Sequence, residues 1–342
     1  MVLLRRAKLA QRDARFALGI AQTKPFQVLL QVTNRCNMKC SFCDFWPNPA
    51  AKKDELGTRD FARVADELAE LGCFLVSIEG GEPYARNDLV DIVRAFGRRH
   101  VPVLFTNGWY TTRENAAALW DAGLAHANVS IDFPDRARHD GKRALAGATD
   151  RAWNAIDLFK ETAPSGGKQV HVMTVLMKAN HLDMDALFAR SAARGVGHQV
   201  TLLSISGFRR GKNGPDELPP EGATERMTAL WDRHPHVRFF RDYFERIDAF
   251  TTGAAMPACR AGLQSFNIDH VGNVSPCIEK IDHVVGNVKD EPLGVLYERL
   301  RKMHASLASC QDCWTACRGF NQSLGGGGTV RGWKDMAARM RS

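Results

Sequence analysis

Apolar residues recur along this chain in two alternating rhythms. Short runs dense in Val, Leu, Ile and Phe stand at 27–33, 74–79, 101–106, 127–132, 170–176 and 199–203, and each reads as a buried strand. Between them, at 59–71, 89–99, 113–122, 151–161 and 184–194, apolar residues return at helical spacing. Thr58 stands as an N-cap before the first of these helices, Gly72 closes it, and Gly123 stops the third. Six successive strand–helix units predict an α/β fold, a (β/α)6 partial TIM barrel smaller than the eight-unit form.

Beyond residue 203 the alternation is lost. Residues 204–220 are rich in Gly, Pro and Ser and read as a long loop over the barrel mouth. Helical patterns at 224–234 and 243–250 lead to a hairpin over 265–275, turning near Gly272, and to a helix at 292–304. Gly325, Gly326, Gly327 and Gly328 read as a flexible linker before a short helix holding Trp333. The implied units are an N-terminal helix (1–24), the barrel (25–220), connecting helices (221–258), a cysteine-rich extension (259–320) and a linker with a basic tail (321–342).

Composition narrows the class. With 44% hydrophobic and 25% charged residues the chain reads as an ordinary globular protein of 342 residues. No apolar run approaches the roughly 20 residues of a membrane span. A net charge of +8 favours anionic partners, but the arginines are scattered rather than striped, so nucleic acid is not expected. Residues 1–18 are basic and amphipathic, with Leu3, Leu4, Leu9, Phe16 and Leu18 on the apolar side. Such a helix is able to lie on an anionic membrane as a peripheral contact, or to pack on its own domain. Nine cysteines without a secretory signal argue for metal ligation in a reducing cytoplasm. Eight fall in clusters; Cys73, beside Gly72, reads as a small core residue.

The densest cluster is Cys36-Asn37-Met38-Lys39-Cys40-Ser41-Phe42-Cys43, directly after the first strand. Three thiols within eight residues converge only if the backbone wraps around something, and an iron–sulfur cube fits. A cube needs four ligands; with three, one iron stays open to a substrate or cofactor. Structural zinc is the alternative, but it prefers closed four-ligand sites, and no His lies in this loop.

The Cys-x3-Cys-x2-Cys motif, with aromatic Phe42 before its last cysteine, resembles the radical S-adenosylmethionine (radical SAM) superfamily. The resemblance implies a [4Fe-4S] cluster on Cys36, Cys40 and Cys43 whose open iron chelates S-adenosylmethionine. One electron then cleaves that cofactor to a 5′-deoxyadenosyl radical, and a flavodoxin- or ferredoxin-type donor would supply the electron. Glu79-Gly80-Gly81-Glu82-Pro83, after the second strand, is similar to the family segment whose backbone binds the cofactor amino group. Its paired glycines let a ligand approach the backbone closely. Thr106-Asn107-Gly108 ends the third strand at the same face, and Phe42, Glu82 and Asn107 are expected at the cofactor; by the same resemblance Ser130 faces the ribose and Arg143 meets the cofactor carboxylate, unless Arg143 is a surface charge.

A second group holds Cys259, Cys277, Cys310, Cys313 and Cys317. A hairpin plus a knuckle could close one four-thiolate site, for zinc or for a cluster. The pattern resembles the SPASM/twitch extension of radical SAM enzymes, and the resemblance with five thiols implies one auxiliary iron–sulfur cluster of the [4Fe-4S] kind. Cys259, Cys277, Cys310 and Cys313 are the expected ligands, with Cys317 a spare or a replacement for Cys310.

Two clusters imply an enzyme that abstracts hydrogen from its substrate and ends in dehydrogenation or radical bond formation. A small molecule and a ribosomally made peptide are both open as substrate. Peptide-modifying relatives often carry a recognition domain before the barrel, where only about 25 residues stand here, so a peptide reading needs a separate recognition protein. Asp269, His270, Glu279, Lys280 and Tyr243 are acid–base candidates on the substrate side, more simply read as surface or hairpin residues. The remote alternative is a zinc-binding RNA adaptor without catalysis.

Overall fold

The computed structural model describes residues 2–47, 49–164 and 169–340, with side chains described from residue 10 onward except at 327 and 340. The chain opens with α1 (Val2–Ala21) and β1 (Gln27–Thr33). Then follow α2 (Thr58–Leu71), β2 (Leu75–Gly80), α3 (Leu89–Gly97), β3 (Val101–Thr106), α4 (Arg113–Ala122) and β4 (His126–Ser130). Two helices, α5 (Arg136–Arg143) and α6 (Ala148–Thr162), lead to β5 (Val170–Leu176), α7 (Met184–Ala193) and β6 (Gly197–Leu202). Strands β1 to β6 pair in parallel in sequence order, as the alternating rhythm predicts. All seven residues of β1 are buried, the mark of a strand covered on both faces.

The second part of the chain extends this sheet. After α8 (Gly207–Arg210), α9 (Ala223–Arg233), α10 (Arg241–Phe244) and α11 (Ile247–Thr251) come β7 (Ser265–Ile268), β8 (Asn273–Ser275) and β9 (Gly286–Asn287). Strand β7 pairs in parallel with β1, and β8 and β9 follow antiparallel, giving a nine-stranded sheet. The chain closes with α12 (Leu293–Leu307), α13 (Ala316–Leu324) and α14 (Val330–Asp335).

Buried amides fasten the extension to the barrel. Gln31 Nε2 donates to Asn267 Oδ1 at 2.8 Å, and Asn267 Nδ2 donates to Ser275 Oγ at 3.1 Å. Asn321 Nδ2 reaches Gln27 Oε1 at 3.1 Å and Ser265 Oγ at 2.9 Å. Leaving any of these donors or acceptors unmade would cost about 1–3 kcal/mol, so the ladder fixes the register of β7 on β1.

Helix α1 lies across the N-terminal ends of the strands, away from the cysteine loop. Phe16 packs against Cys73, Val101 and Ala125, its ring 6.4 Å from that of Phe26, and Ile20 is buried. From residue 10 onward the helix therefore packs on its own domain; the side chains of Leu3, Leu4 and Leu9 lie outside the described residues. Among the described residues no helix is long and apolar enough to cross a membrane.

Three local readings are corrected. Gly57, not Thr58, caps α2: its N–H donates to the Asp60 carboxylate at 2.9 Å, while the Thr58 hydroxyl donates to Asp88 at 2.8 Å. Residues 204–220 hold α8 and a 3-10 turn at Pro215–Glu217, docked on the cysteine loop. Gly325–Gly327 is a packed 3-10 turn rather than a flexible linker, since a Cβ on Gly325 would stand 2.2 Å from Gln264 Oε1. Composition does not separate glycines kept for mobility from glycines kept because nothing larger fits.

Candidate active site

Parallel strands deliver their C-terminal ends to one face, and there the loops are free to carry chemistry. At that face Cys36, Cys40 and Cys43 follow β1, Glu79 to Glu82 close β2, and Thr106 and Asn107 close β3. Together with Ser130, Arg143, Arg209, Arg210 and Cys317 they line a cavity of about 840 Å³. The cavity continues through the barrel to the N-terminal ends of the strands, where Arg12, His126 and His171 line it.

The glycine pair serves the cysteine loop directly. Gly80 has φ 124°, and a Cβ there would lie 2.1 Å from the Thr33 carbonyl oxygen; one on Gly81 would lie 2.2 Å from that of Arg35. Gly81 N donates to Thr33 O at 2.7 Å and Glu82 N to Arg35 O at 2.9 Å. The close approach read from the sequence is thus made by the stem of the cysteine loop. Gly81→Ala is expected to push that stem away and cost about 1–3 kcal/mol. A urea midpoint and an iron content both unchanged from the wild type would show that the stem yields freely.

Glu82 is a strut. Its buried carboxylate accepts from Thr106 Oγ1 at 2.7 Å, Asn107 N at 2.7 Å and Tyr84 N at 3.2 Å, and burial pushes it up to about 7. Asn107 donates from Nδ2 to Asn37 Oδ1 at 2.8 Å, joining the β3 end to the cysteine loop. Ser130 is half-buried on the cavity wall. Arg143 is buried and no surface charge: it pairs with Asp132 at 2.6 Å, and its guanidinium stands 5.3 Å from the centre of the Phe42 ring. Among the described residues its Nε has no hydrogen-bond partner.

Burial pushes the Cys36 thiol up to about 12 and raises that of Cys40, whose sulfur lies 3.9 Å from an Arg143 nitrogen. Thiols held this way ionise when a metal takes them as ligands. In the second group Arg318, itself buried, donates to the carbonyls of Cys313 at 2.9 Å, Cys310 at 3.0 Å and Pro257 at 2.7 Å, shaping the knuckle. Burial raises Cys277, Cys310 and Cys313 as well, and takes Cys317 to about 11. Among these five, Cys317 alone lines the large cavity. Among the described residues no three thiol, imidazole or carboxylate groups stand close enough to hold a single metal ion.

Sequence reasoning missed a charge network at the cavity mouth. Arg209 of α8 pairs with Glu279 at 2.5 Å and Glu79 at 3.7 Å, bridging the barrel and the extension. Its carbonyl accepts from Asp44 N at 2.8 Å, and Lys212 Nζ donates to Cys43 O at 2.9 Å, so this segment also grips the cysteine loop. The only signal was Arg209-Arg210 with Lys212 inside a Gly-rich stretch. The acid–base candidates separate. Glu279 is buried in this network rather than on the surface, and Tyr243 is a core residue, accepting from Leu202 N at 2.6 Å and stacked on Trp314. Asp269 holds the hairpin turn through Asn273 and Val271, His270 follows it in that turn, and Lys280 pairs with Asp312 at 2.7 Å.

Comparison with known families agrees with this geometry. Residues 30–189 match the radical SAM superfamily and residues 259–314 an iron–sulfur cluster-binding domain, SPASM. The chain belongs to the radical SAM superfamily, with a C-terminal SPASM domain. It is an enzyme that uses S-adenosylmethionine, a [4Fe-4S] cluster and auxiliary iron–sulfur binding, which removes the zinc adaptor.

Among its relatives, the PqqA peptide cyclase of Rhodopseudomonas palustris is 39% identical over 89% of this chain and 77% of its own. The mycofactocin maturase MftC of Mycolicibacterium smegmatis is 28% identical over 86% of this chain and 77% of its own. The AdoMet-dependent heme synthase of Oleidesulfovibrio alaskensis is 25% identical over 76% and 71%. The fold also matches that of Streptococcus suis SuiB bound to its precursor peptide SuiA, with a TM-score of 0.64 at 18% identity. That match covers 80% of this chain and 65%, just under two thirds, of SuiB.

Proposed function

We propose that this enzyme modifies a peptide by radical chemistry in the cytoplasm, drawing electrons from a flavodoxin- or ferredoxin-type donor. The observation that carries the substrate class is the 39% identity to a PqqA peptide cyclase along most of both chains. Cys36, Cys40 and Cys43 would hold the [4Fe-4S] cluster, with Phe42, Gly80, Gly81, Glu82, Asn107, Ser130 and Arg143 around the S-adenosylmethionine site. The donor set fits: the buried thiol of Cys40 and the half-buried thiols of Cys36 and Cys43 line a cavity of about 840 Å³, and among the described residues Arg143 Nε has no partner. When bound, cluster and cofactor together supply a carbon radical able to take a hydrogen atom from an unactivated carbon. Asp132 holds the Arg143 guanidinium in place, Glu82 and Asn107 hold the loops at fixed spacing, and the cavity walls exclude water from the reacting carbon.

Cys259, Cys277, Cys310 and Cys313 would hold one auxiliary cluster, leaving Cys317 on the cavity wall. Replacing Cys259, Cys277 or Cys313 by Ala is expected to lower the iron count by about four and to abolish substrate turnover. Full iron in these variants would show that other groups hold it.

The functional test is anaerobic reconstitution followed by incubation with S-adenosylmethionine, reductant and either a PqqA-type or mycofactocin-type precursor peptide. A peptide product two hydrogens lighter, with 5′-deoxyadenosine formed in step, is expected. Stimulation by an iron porphyrin alone, with both peptides inert, would move the substrate to the chemistry of the heme synthase relative.

A further inference from the structure

Arg210 is the group at the cavity mouth that the reading above leaves without work. Its neighbour Arg209 is spent on Glu79 and Glu279, and Arg143 on Asp132. Arg210 forms no ion pair among the described residues: its Nε and one terminal nitrogen are buried without a partner, and its guanidinium stands 5.4 Å from the centre of the Phe42 ring. A buried guanidinium with unmade hydrogen bonds is costly to keep, and a planar fork of donors matches a carboxylate two oxygens at a time.

Position separates Arg210 from Arg143. Arg143 is drawn toward Asp132, just past β4, and the Cys40 sulfur. Arg210 belongs to α8, whose Arg209 reaches into the extension at Glu279 and whose Gly207 abuts the Glu279 backbone so closely that a Cβ would lie 2.0 Å from its carbonyl oxygen. Arg210 therefore stands between the cysteine loop, at Phe42, and the part of the extension that holds Glu279, and it lines the same cavity as Cys317. A substrate oxidised between two clusters has to occupy that interval. Phe208, two residues earlier in α8, is 46% exposed, and its ring lies 6.3 Å from that of Phe45, which lines the same cavity.

We propose that Arg210 binds a carboxylate of the substrate and fixes it beside Phe42, so that the enzyme selects an acidic side chain or a chain end at its reacting position. The inference rests on the peptide reading above. Its test needs no turnover and so fails separately from that reading.

The full-length, reconstituted enzyme is titrated by ligand-detected NMR with three probes. Acetyl-glutamate amide carries a side-chain carboxylate only, acetyl-glutamine with a free C-terminus a chain-end carboxylate only, and acetyl-glutamine amide neither. Broadening of the bound probe by the reduced cluster reports that it sits in the cavity. One of the two carboxylates is expected to bind in preference to the uncharged probe. That preference should fall about 10- to 100-fold in Arg210→Gln, with partial recovery in Arg210→Lys. Whichever carboxylate wins names the source. Equal binding of all three probes, or a preference that survives Arg210→Gln, overturns the proposal. So does a drop in iron content or in S-adenosylmethionine affinity in Arg210→Gln in place of the lost preference, because Arg210 would then serve the cluster or the cofactor.

Discussion

Replacing Cys36, Cys40 or Cys43 by Ala is expected to remove about four irons and to bring S-adenosylmethionine cleavage down to background. The effect should be nearly total because a cube on three thiolates has no protein ligand to spare. Burial strengthens the argument: Cys36 is pushed up to about 12 and Cys40 is raised, so a weakened site protonates rather than lingering half-ligated. The cost in folding should be smaller. The loop is also held by Asn107 on Asn37, Lys212 on the Cys43 carbonyl and Asn213 on the Phe42 carbonyl, none of which uses a thiol. Iron analysis, 5′-deoxyadenosine chromatography and circular dichroism of each variant check the three parts. Appreciable 5′-deoxyadenosine from a folded Cys40→Ala protein would refute the ligand assignment.

Most of the frame was legible because it is repetitive. Strands β1, β3 and β5 stand where the apolar runs place them, and α4 runs from Arg113 to Ala122 and stops at Gly123 as read. The cysteine spacing carried the family, since three thiols at such intervals have few uses. What stayed hidden is tertiary. Gln27 and Gln31 sit within an apolar run, and nothing local says that they meet Asn321 and Asn267 more than two hundred residues away. Glu279 reads as a hairpin residue until Arg209 is brought to it by a loop with little periodicity. Arg143 is ambiguous in sequence because a guanidinium on a short polar helix is equally at home in water; the buried Asp132 decides it.

Arg209 is also where the second large effect is expected. Arg209→Met should lower stability by about 3–5 kcal/mol, the usual cost of removing one partner from a buried ion pair, because it leaves Glu79 and Glu279 without their shared cation. The loss should depend on pH, with a definite sign. Burial already pushes Glu79 up to about 7, against the lowering exerted by Arg209 and Arg210. Between the ordinary carboxylate range and 7 the folded protein therefore holds a proton that the unfolded chain has released, and stability falls as pH rises through this window. Without Arg209 the Glu79 carboxyl rises further, so the variant carries a protonated, less costly Glu79 at pH 5.5 and faces the full penalty only above 7. Urea unfolding of both proteins at pH 5.5 and 8 should show the larger difference at pH 8. A deficit of equal size at both values would mean that Arg209 contributes packing rather than charge. No deficit at all would mean that the extension is held to the barrel by the β1–β7 amide ladder alone.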